Sequence, residues 1–419
     1  MFNKKMSLIA ITVSAALLAA CNSSSDKDPE IVEPTPVEPV EITTEQVKDN
    51  YVAMAYAAYS DSLTTAQALQ SAINAFIASP TEENLTAAKA AYKDARVPYQ
   101  QSEILRWDTS ITLESNLAND GGPASVDEWE GQVNAWPLDE NHIDSIIEGN
   151  EDITAELLIA QNGANDNEAN VTTGVHAIEY MLWGRDTHGT EAGAGERPAV
   201  DYNITGCLDT LCQRRLGYLK AVTDLLVDDL TAMQAEWSET ASTTEGTLSY
   251  NFLQSENSLD YIIGSIHAMA TDELAGARMN SGLTLGDPEE EHDCFSDLSH
   301  VAIYHNYQGV KNAFYGNYGE IDGAGIGDLI KQADETTYTD LHTAFESIEV
   351  HMKAILDAGE RETDPVKFDQ IIGQASTDAE RQIAEAAVAE LIELDQKIKA
   401  AVQVLSLNPI DTSGGGDGD

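Results

Sequence analysis

The chain has 419 residues, 42% of them hydrophobic and 22% charged, the make-up of a soluble globular protein and not of a disordered, fibrous or membrane-embedded one. Its 72 Asp+Glu against 22 Lys+Arg leave a formal charge of −50. That sign argues against DNA, RNA or anionic lipid as partners and favours cations, or plain solubility in a salty medium.

The N-terminus reads as an export signal. Lys4 and Lys5 precede an apolar run from Met6 to Leu18. At roughly 13 residues it is too short to span a bilayer and suits a signal-peptide core. It ends in Leu18-Ala19-Ala20-Cys21, which resembles the bacterial lipobox. Residues 1–20 are therefore expected to be removed and Cys21 acylated, anchoring the chain to a membrane surface. Asn22, in place of Asp, points by analogy to the outer membrane, facing the periplasm or the cell surface. A Ser run and a Pro- and acid-rich tether fill residues 21–42, an extended spacer.

The body predicts helices. Thr44–Ala78 is Ala-rich, with Val47, Tyr51, Met54 and Ala58 at helical spacing. Ser79-Pro80-Thr81-Glu82-Glu83 stops it and starts a second helix, to about Trp107. Gly/Asp-rich irregular segments follow at Asp108–Asn141 and Arg185–Gly206, lengths that often carry function. Further helices are expected at Leu211–Gln234, Leu248–Arg278, Cys294–Tyr315, Leu341–Leu356 and Thr377–Leu405, all rich in helix formers. No alternating strand series or hairpin dipeptide stands out, so the class is all-α and bundle-like. Residues 409–419, Gly/Asp-rich, read as a disordered tail. The segment Gly174–Gly184 faintly echoes Gly309–Gly316, as a duplicated bundle or chance would leave it.

Candidate chemistry centres on Gly174-Val175-His176-Ala177-Ile178-Glu179. His176 and Glu179 are three apart, hence on one helix face, where an imidazole nitrogen and a carboxylate oxygen can hold one cation together. Gly174 allows another backbone to come close. A satisfied structural His is the competing reading. Asp297 and His300 repeat the spacing, while Glu289–Glu291 would equally charge a helix N-terminus. Arg96 and Glu103 are seven apart on one face, either a ligand held by a guanidinium or a buried ion pair. Trp136-Pro137 reads as a turn that carries Asp139 to the site or packs Trp136. Cys207 and Cys212 are disulfide candidates, and Cys294 is left over. His-Glu-x-x-His, Gly-x-Ser-x-Gly and Walker patterns are all absent.

Gly174-x-His176-x-x-Glu179 followed by Tyr180-Met181-Leu182-Trp183-Gly184 resembles the signature motif of the imelysin family. Ala90–Arg96 with Pro98, Tyr99, Ser102 and Glu103, and the run Asn134–Asp139, are similar to its upstream signatures. Glu291–Asp297 through His300 resembles its iron-regulated protein A branch. The resemblance covers about residues 45–405. It implies two helical-bundle halves, here 43–206 and 207–408, with a pocket between them. It also implies a cell-envelope protein tied to iron uptake or regulation, with envelope iron-uptake proteins as partners. The expected metal ligands are His176 and Glu179, with Glu103, Asp297 and His300 completing the shell and Arg96, Gly174 and Asp139 supporting it. Iron is the expected ion, with zinc or manganese as alternatives. Family members carry a peptidase label, so a metallopeptidase is one alternative, although a conventional zinc peptidase needs more ligands than one His–Glu pair. A module for a non-metal ligand or a protein, lined by Trp107, Trp136 and Trp183, is the other.

Overall fold

Thr43 begins the first helix: its side chain accepts from the Gln46 N–H while Gln46 reaches back to the Thr43 N–H, a reciprocal cap. The helix, α1 (Thr44–Ala78), buries Val47, Tyr51, Ala55, Ala58, Ala66, Leu69, Ile73 and Phe76 on one face. Thr81 caps α2 (Glu82–Ser102), which continues through Pro98 and tightens into a 3-10 turn at Glu103–Leu105. The computed structural model describes residues 41–105, 131–207 and 211–410. The expected signal peptide, Cys21, the expected tether up to residue 40, Trp107, most of the first irregular segment and residues 411–419 lie outside the described residues.

Two short helices, α3 (Glu140–Glu148) and α4 (Ala155–Gln161), precede α5 (Gly174–Trp183), which is buried along its whole length. Then come α6 (Cys212–Glu236), α7 (Leu248–Gln254) and α8 (Ser258–His267). A π-helical segment, Ala268–Asn280, runs into α9 (Ser281–Leu285). After α10 (Ser299–Tyr315), a two-residue antiparallel ladder pairs β1 (Asn317–Tyr318) with β2 (Ile321–Asp322). Helices α11 (Ile326–Ala333), α12 (Glu335–Glu360), α13 (Phe368–Gly373) and α14 (Ala379–Val404) complete the chain. Among the described residues the fold is all-α apart from that ladder.

Three helix expectations are corrected. The stretch expected as one helix at Leu248–Arg278 breaks after Gln254, because Ser258 Oγ donates to the Phe252 and Ser255 carbonyls and Ser255 Oγ takes the Asn257 N–H. Such side-chain bonds compete with the helical ladder. The helix expected from Cys294 starts only at Ser299, because Asp297 is left-handed at φ 54°. The second helix ends at Ser102, short of Trp107.

Packing sorts the helices into two sets. In the first, α1 lies along α2 and α6, with α5 against α2 and α6. In the second, α12 lies along α14, and the π-helical segment packs on α14 and α10. Helix α10 touches both α2 and α12 and so joins the sets. One continuous apolar core runs through both, from Val47 to Val402, and the described residues form one compact unit. Among the described residues no helix is long and apolar enough to cross a membrane.

Candidate metal centre

Helix α5 places the two motif residues. Gly174, its first residue, has φ 77°, and a Cβ there would sit 2.3 Å from the Val133 carbonyl oxygen. Only glycine admits that approach. One turn on, His176 and Glu179 are both fully buried, with His176 Nδ1 3.0 Å from Glu179 Oε2. The other oxygen of Glu179 accepts from the Ser296 N–H at 2.9 Å and from Ser296 Oγ at 2.6 Å. Tyr92 Oη donates to Oε2 at 3.4 Å. His176 Nε2 has no hydrogen-bond partner. Around the imidazole stand the rings of Trp136 (centroids 5.0 Å apart) and His292 (4.7 Å).

Asp293 completes the group: one ligand atom from each of His176, Glu179 and Asp293 lies within 4.8 Å of the others. Arg96 holds Asp293 in a fork, Nε to Oδ1 at 2.9 Å and one terminal nitrogen to Oδ2 at 3.1 Å, and its other terminal nitrogen donates to Asn134 Oδ1. Three stretches of chain thus meet here: α2 with Tyr92 and Arg96, α5 with His176 and Glu179, and the segment before α10 with Asp293 and Ser296.

Burial, aided by the nearby Arg96 charge, pushes the His176 imidazole down to about 3, so it is neutral at physiological pH, the form that binds metal. Burial lifts Glu179 to about 7, against the pull of Ser296 and Arg96. Burial also opposes the charge on Arg96, but Asp293 outweighs it and keeps the guanidinium firmly protonated.

The other expected ligands go elsewhere. Glu103 pairs with Arg278 at 2.8 Å, while the Arg96 fork is taken by Asp293, leaving Arg96 only a longer-range attraction to Glu103. Arg278 also binds Glu273 at 2.8 Å and donates to Asn306 Oδ1 at 2.9 Å. Glu273 and Arg278 are five apart, a spacing that does not face on an α-helix but meets on the π-helical segment that carries them. His300 bonds Glu360 at 2.8 Å beside Lys367, and burial holds its pKa low. Gly359 leaves room for that ring: a Cβ there would meet it at 2.2 Å. Asp297 joins Glu291 and Asp369 in a second carboxylate group. Asp139 accepts from the Asn141 N–H and caps α3. Neither Glu103, His300 nor Asp139 enters either group of converging ligand atoms. The shell expected to gather five candidates therefore gathers His176 and Glu179 with Asp293. Cys207 and Cys212 are joined in a disulfide, and Cys294 is free and buried.

Asp293, Ser296, Tyr92 and Asn134 were not singled out in the sequence. Asp293 stood inside the run Glu291–His300, but reading that run as helical favoured the i, i+3 pair Asp297 and His300, and the helix begins too late to hold both.

The model of the imelysin family matches residues 55–398, most of the chain. The chain belongs to the imelysin family. A crystal structure of a protein named as an iron-regulated protein A precursor, from Parabacteroides distasonis, shares the fold. It is 18% identical, with a TM-score of 0.62, and the match covers 87% of this chain and 97% of that one. No curated protein matches the chain. Within this imelysin fold the His176–Glu179 motif sits on the buried α5, which packs against α2 and α6.

Proposed function

We infer that this protein binds a metal ion at His176, Glu179 and Asp293, and that it serves iron uptake or its regulation in the cell envelope. One observation carries the reading: His176 Nε2 is fully buried and has no partner, while Nδ1 lies 3.0 Å from Glu179. An orphaned buried polar atom costs about 1–3 kcal/mol, which a bound ion would offset. With the proton on Nδ1, Nε2 is the ligand and Glu179 orients the ring, as carboxylates do behind metal-bound imidazoles. With the proton on Nε2, Nδ1 and Glu179 Oε2 have the separation of two donors set at right angles about 2.1 Å from one ion. Imidazole and carboxylate together suit iron, manganese or zinc. A bound ion would act there as a Lewis acid or a transported charge; Arg96 holds Asp293, and Ser296 and Tyr92 hold Glu179, in place to receive it.

Iron is favoured by the name of the structural neighbour and by family membership. Envelope placement rests on the signal-like N-terminus and Cys21, with the membrane reached through acyl chains and envelope iron-uptake proteins as partners. Titration of Fe(II), Mn(II) and Zn(II) into the full chain, with His176→Ala alongside, is the test. Tight binding lost in the variant is expected, and equal affinity in both ends the reading. Mass spectrometry of the mature chain should find Cys21 acylated; an unmodified Cys21 removes the anchor.

A second reading draws on Glu179. A carboxyl near pKa 7 is poised as a general base, which a metallopeptidase would need. Its burial and its bonds to Ser296 argue for a held ligand instead. Chelator-sensitive new termini in an unfolded protein substrate, absent with Glu179→Gln, would favour the peptidase.

A further inference from the structure

Beyond the imidazole centre, a second group of acids is built without a cation of its own. Glu291, Asp297 and Asp369 are 1%, 4% and 0% exposed, and one carboxylate oxygen from each lies within 4.8 Å of the others. Four of their oxygens, Glu291 Oε2, Asp297 Oδ1 and both of Asp369, have no partner at good hydrogen-bond geometry; Ser299 and the Gly193 and Gln370 N–H groups give weaker support to Glu291, Asp297 and Asp369. Buried carboxylate oxygens facing one another with so little support are tolerated only if protons or a cation lie between them. The Lys367 ammonium lies 3.6 Å from Glu360 and 3.3 Å from His300 Nε2, and its charge reaches Asp297 without an ion pair to any of the three acids. Elsewhere in this interior the protein supplies an arginine: Arg96 to Asp293 and Arg278 to Glu103 and Glu273.

We propose that Glu291, Asp297 and Asp369 form a second cation site, for a hard, oxygen-preferring divalent ion of the calcium, magnesium or manganese class. The donor set is all oxygen, with no imidazole or thiolate, which is the chemistry such ions take. The site ties two elements together, the segment before α10 and α13, which carries Asp369. That segment also feeds the first centre. Glu291 and Asp297 face the second group, while Asp293 and Ser296, between them in sequence, reach His176 and Glu179. An ion at the second site therefore positions Asp293 and Ser296.

The test uses the full chain stripped with chelator, then given Ca2+, Mg2+ or Mn2+ at about 1 mM, the range of weak extracellular sites. Equilibrium dialysis with elemental analysis reads stoichiometry and thermal unfolding reads stability. Wild type and His176→Ala should each bind a hard ion and gain in Tm. Asp369→Asn, nearly the same shape but uncharged, should lose one bound equivalent and the Tm gain, and should unfold in chelator no earlier than wild type. Asp297→Asn should behave alike. Binding and Tm gain unchanged in both Asn variants, or no ion bound by wild type, overturns the proposal. Because His176→Ala keeps this site, failure here is distinct from failure of the first centre.

Discussion

The two acid groups share the segment Glu291–Leu298 and are balanced by different means. At His176, Glu179 and Asp293, a fixed guanidinium from Arg96 grips Asp293, and Ser296 and Tyr92 supply donors to Glu179. At Glu291, Asp297 and Asp369, the acids face one another with four oxygens lacking a well-formed hydrogen bond. Burial raises all three, Asp297 and Asp369 to about 7, helped by repulsion from Asp369 and Asp297 at Glu291, from Asp297 at Asp369, and from Asp186 and Glu179 at Asp297. A built-in arginine makes a permanent arrangement, whereas carboxylates that face one another without an arginine make one that protons or a mobile ion can change.

That contrast can be broken in order of expected effect. Arg96→Met strands the Asp293 charge in a dry interior and should cost about 3–5 kcal/mol in denaturant unfolding. A loss near zero would show that Asp293 needs no guanidinium. Gly174→Ala adds a methyl group against the Val133 carbonyl at a left-handed φ. Strain and overpacking, each about 1–3 kcal/mol, should lower Tm sharply and shift α5; a Tm within error of wild type would deny that this approach is required.

The acid triad should reveal itself through pH. A folded-state pKa raised from 3.8 to about 7 means that the folded chain binds more protons than the unfolded one across that window. Stability from this group is therefore present at low pH and lost as pH rises towards about 7. In chelator, Asp369→Asn should gain on wild type by about 3 kcal/mol between pH 4 and pH 7, and the gap should level off only above about pH 8. A gap independent of pH would mean that Asp369 ionises as freely when folded as when unfolded. The smallest effect belongs to the exposed Lys353–Asp357 pair. Lys353→Ala should change stability by under about 0.5 kcal/mol and leave metal binding untouched, the control for the buried acids.

The amino-acid sequence by itself determined the helical class, most long helices to within a few residues, and the placement of His176 and Glu179 on one face. These are local matters: Ala-rich runs, caps at Thr43 and Thr81, and a three-residue spacing act over one or two turns. Only the tertiary structure decided which acid meets which base. Arg96 and Glu103 lie on neighbouring turns of one chain segment, yet Arg96 takes Asp293 from 197 residues away and Glu103 takes Arg278. The π-helical segment that aligns Glu273 with Arg278, and the left-handed Asp297 that sends its carboxylate to Glu291 and Asp369, leave no periodic trace in sequence. Partner choice among buried charges is settled by packing between distant elements, and a pattern of spacings along one element carries no record of it.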